Sequence, residues 1–250
     1  MKKKIVALCL VLALALTAVG GATLAYFQDN DAQTNVFTVG NVDIDLWENY
    51  GDNDETTPEV LRPVTFGPDG KKLPDNQITK EIYVTNDGSE DAFVRIHFAI
   101  PAAIDRAYPD FDASENIVHW NFWNYGNKQW NWTPDAKAAG YEANNWNFYE
   151  ETIDGVKYNV YVATYETALE KDQTTPYSVY KIYMDSKTTN EVIEEINKTL
   201  KGKWQILVAA EGVQAEGFAD AYTALNTAFG TPQAGSIDWT AVSGETFGNP

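Results

Sequence analysis

Apolar and polar residues alternate along much of this chain, and the alternation predicts β-strands that are buried on one face. Near the N-terminus, Val42, Ile44 and Leu46 share one face, while Asp43 and Asp45 lie on the other. We therefore expect a strand here, with its apolar face toward a core.

A second alternating region has two apolar faces separated by a polar turn, Asn-Asp-Gly-Ser at residues 86–89. The faces consist of Ile78, Ile82 and Val84 before the turn, and of Val94, Ile96, Phe98 and Ile100 after it. We expect two strands, and the connection is long enough that they need not pair directly. Residues 156–165, 177–184 and 204–210 are rich in β-branched and aromatic side chains and are predicted to be further strands.

Two later segments change to the period of a helix. The first begins at Thr188 and Glu191, which have the spacing of a capping box. Its apolar stripe is Val192, Ile196 and Leu200, and Gly202 ends it. The second stripe is Phe218, Tyr222, Leu225 and Phe229, followed by Gly230 and Pro232. Two late helices do not make a βαβ alternation, so the predicted class is mainly β with inserted short helices.

The first 25 residues have the layout of a secretory signal peptide. Three lysines precede an apolar run at residues 5–19, which is shorter than the span of about 20 apolar residues that a membrane requires. Small residues place the expected cut between Ala25 and Tyr26, and a cut after Ala22 is the alternative. We expect a secreted mature chain, residues 26–250, that contacts the membrane only through the uncleaved signal.

The charge balance excludes one class of partner. The chain has 18 Lys and Arg against 36 Asp and Glu, and loss of the three signal lysines would leave 15 cations. Nucleic acid is not expected as a partner, because the cations that neutralise phosphates are too few. The single cysteine, Cys9, lies in the signal, so the mature chain has no disulfide and must be stabilised by the core of one domain.

No catalytic motif is present among the types H-E-x-x-H, G-x-S-x-G, P-loop or G-x-G-x-x-G. His97 shares a predicted strand face with Arg95, which indicates a solvent-facing or hydrogen-bonded residue. A metal site shared with His119 is the alternative, although spacing names no third ligand. We therefore predict no enzyme, no catalytic residue, no metal ligand and no cofactor.

Calcium is the one ion for which the sequence leaves an alternative. Residues 29–35 and 51–55 are rich in side-chain oxygen, but neither follows the twelve-residue EF-hand loop. Ordinary acidic surface loops are what an acidic secreted chain is expected to contain, and they account for both segments.

An aromatic and asparagine-rich insertion occupies about residues 105–150. Its tryptophans are Trp120, Trp123, Trp130, Trp132 and Trp146. Such rings beside amide groups can stack on sugars and bond their hydroxyls, which would make the chain a carbohydrate- or cell-wall-binding module. Packing in the core is the alternative, because tryptophan is highly buried on average.

The segment GGATLAYFQDNDAQTNVFTVGNVDIDL, residues 20–46, closely resembles the N-terminal signature of the TasA/camelysin family. These are secreted matrix and surface proteins of Gram-positive bacteria, processed by a dedicated (SipW-type) signal peptidase. The resemblance extends more loosely through residues 84–101, and residues 208–232 are similar to clostridial-type relatives. The aromatic insertion matches neither.

The resemblance implies a jelly-roll β-sandwich that assembles into the fibres of a biofilm matrix. In such fibres the segment freed by cleavage adds as a strand to the next copy, so residues 26–46 are the expected donor segment. Its assembly residues are Phe37, Val39, Val42, Ile44 and Leu46. The implied partners are further copies of the chain, the signal peptidase, and other matrix proteins or polysaccharide.

Elementary physics allows this assembly, because an open strand edge can accept an alternating segment, and donation that does not close into a ring gives a filament. Two alternatives remain. In one, the N-terminal strand completes its own sheet in a monomeric surface protein. In the other, the chain is a metalloprotease, as the camelysin branch has been described, although it lacks a zinc-binding motif.

Overall fold

The structure of the chain is a computed structural model. It describes residues 28–31, 42–49, 61–65, 77–106, 115–122, 130–132, 148–202, 204–242 and 245–247. The expected cleavage site, Phe37, Val39, Trp123 and Trp146 lie outside these residues, as does the acidic segment 51–55. Within the described ranges, no helix is both long and apolar enough to span a bilayer.

Two antiparallel sheets make up the described fold. The first contains, in spatial order, β1 (Gln28–Asp31), β10 (Trp204–Gln214), β4 (Ala92–Pro101), β8 (Val156–Leu169) and β6 (Trp130–Asn131), with β11 (Glu245–Phe247) also on β10 and β7 (Phe148–Ile153) also on β8. The second contains β2 (Ile44–Asn49), β3 (Ile78–Asn86), β9 (Val179–Met184) and β5 (Val118–Phe122). With helices α1 (Asn190–Leu200) and α2 (Ala221–Phe229), this confirms the mainly β class with inserted helices. Jelly-roll connectivity stays a prediction.

The core lies between the apolar faces of the two sheets. Ile82 and Val84 of β3 pack there with Ile96 and Phe98 of β4, and all four side chains are fully buried. The alternation predicted near the N-terminus is confirmed, because Ile44 and its apolar neighbours on that face are buried and the intervening acidic side chains are more exposed. Period-two patterning therefore located the inner faces of β2 and β3 correctly.

The turn at residues 86–89 connects the two sheets and does not form a hairpin, because β3 and β4 belong to different sheets. Asn86 is fully buried there. Its amide nitrogen donates to the carbonyl oxygens of Glu90 at 2.8 Å and Leu169 at 2.9 Å, and its side-chain oxygen accepts from the amide of Gly88 at 3.1 Å. One side chain thus satisfies three backbone groups where the chain leaves one sheet for the other.

Both predicted helices form, with boundaries that differ from the expected ones. The N-cap of α1 is Thr189, whose hydroxyl accepts from the amide of Val192, so the predicted cap at Thr188 is wrong by one residue. The buried stripe of α1 consists of Ile193, Ile196 and Leu200. Helix α2 begins after its N-cap Asp220, so Phe218 lies before the helix. Neighbouring residues able to cap compete at each start, and tertiary packing decides between them.

Replacing Asn86 with alanine should lower the free energy of unfolding by about 1–3 kcal/mol, because buried backbone groups lose their partners. Urea unfolding of the purified chain measures this loss. Asp87→Ala is the matched control, because the Asp87 side chain is exposed. The hydrogen bond from Asp87 to the carbonyl of Asp43 is donated by the backbone amide, which the substitution keeps. A loss at Asp87 as large as that at Asn86 would contradict this account of the turn.

Candidate functional site

The outer edge of strand β10 is where the N-terminal segment meets the rest of the fold. On its inner side β10 pairs with β4, and on its outer side it pairs with β1 and, further along, with β11. Gln28 lies opposite Val213, and Asn30 lies opposite Glu211. We call the stretch that β1 covers, residues 210–213, the docking edge. A four-residue strand is all that covers this backbone within the described residues.

The docking edge is shaped to receive β2 on the core side. A Cβ atom added to Gly212 would lie 2.9 Å from Cδ1 and 3.0 Å from Cγ2 of Ile44, closer than such atoms normally approach. Glycine at this position therefore lets the Ile44 side chain rest directly on the β10 backbone. The contact joins the N-terminal part of the chain to a strand near its other end.

The structure places the predicted assembly residues in two groups. Val42, Ile44 and Leu46 are buried in the core of their own chain, and β2 pairs with β3. This is the arrangement expected if the N-terminal strand completes its own sheet. Phe37 and Val39 lie outside the described residues, so the role of these five residues in donation stays a prediction.

On the opposite face of β10, Glu211 forms a buried ion pair with Arg95, which lies directly across from it in β4. The guanidinium also donates to the side-chain oxygen of Asn226 at 3.0 Å and to the carbonyl of Gly230 at 3.1 Å. Arg95 and Glu211 are 2 % and 1 % exposed. The ion pair therefore fixes β4, β10 and the C-terminal end of α2 relative to one another.

His97 completes this buried group. Its Nε2 lies 3.1 Å from the same Glu211 carboxylate oxygen, and its Nδ1 lies 3.1 Å from the hydroxyl of Tyr149. The ring is fully buried, so of the two roles weighed for His97 the hydrogen-bonded one is correct and the solvent-facing one is wrong. Alternation assigned it to a polar face, but α2 and the segment near Trp239 cover that side of the sheet, where Tyr149 of the neighbouring strand β7 also packs.

The electrostatics of the group suit a structural role. Burial acts to raise the pKa of Glu211, but the neighbouring His97 and Arg95 outweigh it and hold that pKa below the ordinary value. Burial, with a contribution from Glu151 and Glu211, raises the pKa of Tyr149, so its phenol stays neutral. An ionised, fully partnered carboxylate and a neutral phenol hold strands in register without presenting a reactive group to solvent.

The two histidines do not form a shared metal site. His97 is in β4 of the first sheet, while His119 is in β5 of the second, where its Nε2 lies 2.9 Å from a carboxylate oxygen of Asp185. In the part of the chain that the structure describes, no three His, Cys, Asp or Glu side chains are grouped to hold a metal ion. Of the calcium alternative, only the backbone of residues 29–31 is described.

Three of the five predicted sugar-stacking tryptophans are described, and they contribute to packing. Trp130 and Trp132 are 3 % and 5 % exposed and belong to the core. Trp120 is half-buried, with its ring centroid 4.8 Å from that of Phe98 and 5.0 Å from that of Tyr161. Buried indoles have no face for a ligand, so Trp130 and Trp132 are corrected from sugar-stacking to core residues.

Sequence reasoning missed two buried polar contacts. Asp105 accepts hydrogen bonds from Tyr161 at 2.6 Å and Asn159 at 2.8 Å, and burial raises its pKa despite these bonds. Lys80 is fully buried and forms an ion pair with Glu48. Only Lys80 gave a local signal, as a charge on the apolar face of its strand. Neither contact involves a residue of β1 or β10, the two strands that pair at the docking edge.

The docking edge itself carried a weak signal in the sequence VAAEGVQ at residues 208–214. A single acid and a glycine interrupt an otherwise apolar strand, which indicates a buried partner and a close backbone approach. The sequence does not say which residues supply either.

Residues 1–97 match the camelysin metallo-endopeptidase family. This confirms the resemblance to the TasA/camelysin family for that part of the chain. The matched part includes β1, β2, β3 and β4 as far as His97, and therefore Ile44 and Arg95, whereas Gly212 and Glu211 lie outside it. The camelysin description implies a metal-dependent peptidase, and the described residues do not fit such a centre. The chain has no match among the curated proteins compared.

Replacing Gly212 with alanine should lower the free energy of unfolding by about 1–3 kcal/mol, because the added methyl group overpacks against Ile44. In the double variant with Ile44→Ala, the new methyl occupies space that the isoleucine vacates. Urea unfolding should then show a combined loss smaller than the sum of the two single losses by about 0.5–3 kcal/mol. Gly212→Ala combined with Ile193→Ala of α1 is the control and should be additive. Additivity in both pairs would contradict the contact.

Glu211 should make stability depend on pH. Its pKa in the folded state is below its ordinary value of 4.5, so its ionisation stabilises the fold fully above that pH and ceases to do so as pH falls through the folded value. Glu211→Gln, which breaks a buried ion pair, should cost about 3–5 kcal/mol at neutral pH. The difference from the parent should narrow in a pH series of urea unfolding below 4.5. Glu195→Gln, at an exposed position of α1, is the matched control and should not reproduce the loss at neutral pH.

Proposed function

We propose that this chain is a secreted structural protein of the extracellular matrix or cell surface, which assembles when the N-terminal segment of one copy adds to the sheet of the next. The placement of β1 carries this proposal. It is a four-residue strand at the edge of its sheet, paired only with β10 in the described structure, and residues 32–43 separate it from β2. The family match over residues 1–97 supports a secreted surface or matrix protein.

Release of β1 would leave the rest of the first sheet in place. β10 keeps eight register pairs with β4, compared with the four it makes with β1. The backbone N–H and C=O groups of the docking edge would then be open to a strand from another copy. Because the same segment forms the same pairs in either partner, exchange costs little beyond the entropy of association.

The arrangement also divides the expected donor segment into two parts. Val42, Ile44 and Leu46 are buried against their own core, and Ile44 rests on Gly212. In this proposal they anchor the base of the segment to its own subunit, while residues 26–41 reach the neighbour. Phe37 and Val39 then belong to the donated part.

The alternatives have less support from the described residues. A metalloprotease requires a set of metal ligands, which the described residues do not supply, and the described tryptophans of the aromatic insertion are committed to packing. A monomeric surface protein would have the same fold, with β1 paired to β10 of its own chain. The test must therefore distinguish β1–β10 pairing within one chain from pairing between two copies.

Cysteine cross-linking distinguishes the two pairings, because the mature chain has no cysteine of its own. Gln28 and Val213 are opposite each other, and paired strand residues lie about 4.5–5.5 Å apart, within the range of a disulfide. One preparation of the chain from Tyr26 onward carries Gln28→Cys and the other carries Val213→Cys. After mixing and oxidation, donation predicts a covalent heterodimer on a non-reducing gel, and electron microscopy should show fibres of the parent chain.

Two controls make this result specific. Gln28→Cys mixed with Lys198→Cys, at an exposed position on α1 that does not pair with β1, should cross-link only at background level. A chain that starts at Val42 should neither cross-link nor form fibres. Two results together would show that the assembly proposal is wrong. The double variant Gln28→Cys/Val213→Cys would form its disulfide only within single chains at every concentration, and the mixed single variants would form no disulfide between chains.

A further inference from the structure

The solvent-facing side of the second sheet carries an aromatic cluster that the assembly proposal does not use. Trp47 of β2 is 49 % exposed, and among the described residues it is the one large apolar side chain that lies open to solvent to this extent. Tyr83 of β3 lies directly opposite Trp47, and Tyr177 is next to Tyr83. We call these three side chains the aromatic platform.

The geometry of the platform leaves aromatic surface open. The Trp47 and Tyr83 rings are 9° from parallel with centroids 6.4 Å apart, an offset arrangement in which rings overlap only in part. Tyr177 is 5.7 Å from Tyr83 and tilted by 52°. Cross-strand stacking stabilises β2 and β3, but it does not require an indole that is half exposed.

Hydrogen-bonding groups border the platform on the same face. Asp45 and Thr85 form the next pair along β2 and β3, and the Thr85 hydroxyl lies 3.1 Å from that of Thr174. On the other side, the side chain of Tyr177 hydrogen-bonds the carboxylate of Glu81. Open aromatic surface is thus combined with carboxylates and hydroxyls within one sheet face.

This combination matches the chemistry of a neutral sugar, whose C–H groups pack on aromatic rings and whose hydroxyls bond carboxylates. The charge of the site selects against anionic ligands, because Asp45 and Glu81 border it and the chain has a formal net charge of −18. A protein partner would need a much wider surface, about 800 Å² on each side. We propose that the aromatic platform binds neutral sugar units of an extracellular polysaccharide.

This site differs from the sugar site that the sequence suggested, which involved tryptophans of the aromatic insertion. It is also separate from the docking edge, because Trp47 and Tyr83 belong to the second sheet and β10 belongs to the first. Sugar binding would attach an assembled or single copy to polysaccharide. It does not rest on strand donation, and either proposal can fail alone.

The test uses the chain from Tyr26 onward and isothermal titration with three neutral oligosaccharides, cellohexaose, laminarihexaose and the hexamer of N-acetylglucosamine. At least one should bind with a millimolar or lower Kd. Trp47→Ala should weaken that binding about tenfold or more, in keeping with the loss of one stacking interaction. Trp47→Phe, which keeps a ring, should weaken it less. Polygalacturonate, an anionic polymer, should not compete.

Tyr183→Ala is the matched control, because Tyr183 also lies on the solvent-facing side of the second sheet. Its ring belongs to a separate aromatic pair, with its centroid 5.0 Å from that of His119. It should leave sugar binding unchanged. Urea unfolding of each variant confirms that it is folded, and the cysteine mixing assay should give the same result for Trp47→Ala as for the parent.

Four results would overturn the proposal: no binding of any neutral hexamer at millimolar concentration, binding that survives Trp47→Ala, equal loss in Tyr183→Ala, or full competition by polygalacturonate. Loss of self-association in Trp47→Ala would also overturn it, because the platform would then be a contact between copies.

Discussion

The buried ion pair between Arg95 and Glu211 is the constraint on which the arrangement of the first sheet depends. Removing two charges from water is costly, and the cost is recovered only when every remaining polar atom finds a partner. Here Arg95 reaches α2 through Asn226 and Gly230, while Glu211 also contacts His97. The positions of β4, β10 and α2 relative to one another are therefore fixed. A sheet edge can exchange its outermost strand only if the strand behind it stays fixed, and this group fixes β10.

The parts of the fold that followed from the sequence depend on local periodicity. Residues 42–46 and 78–84 alternate because one face of each strand meets the core, so the pattern of apolar residues is enough to locate that face. The same rule misled for His97, because it assumes that the second face of a sheet meets water. In this chain α2 and the segment near Trp239 cover that face. Coverage by elements distant in sequence has no local period, so polar residues in a strand can belong to a second buried layer.

The residues of the site are visible in the sequence, but the sequence does not show which of them contact one another. Glu211 and Gly212 stand out in their strand, yet their partners Arg95 and Ile44 lie more than a hundred residues earlier. The tryptophans show the converse limit. Composition identified the aromatic insertion, but only the fold distinguishes Trp130 in the core from Trp47 at the surface. The predicted start of α1 is one residue too early, because Thr188 and Thr189 have nearly equal capping ability.

The pairing of Gln28 with Val213 also has a consequence for the order in which the chain is made. Synthesis proceeds from the N-terminus, so β1 emerges first, and the strand it pairs with emerges near the end. Closing so long a loop is slow compared with pairing between local strands. The pairing of β1 with β10 therefore cannot form until nearly the whole chain has been made, after the local strand pairs.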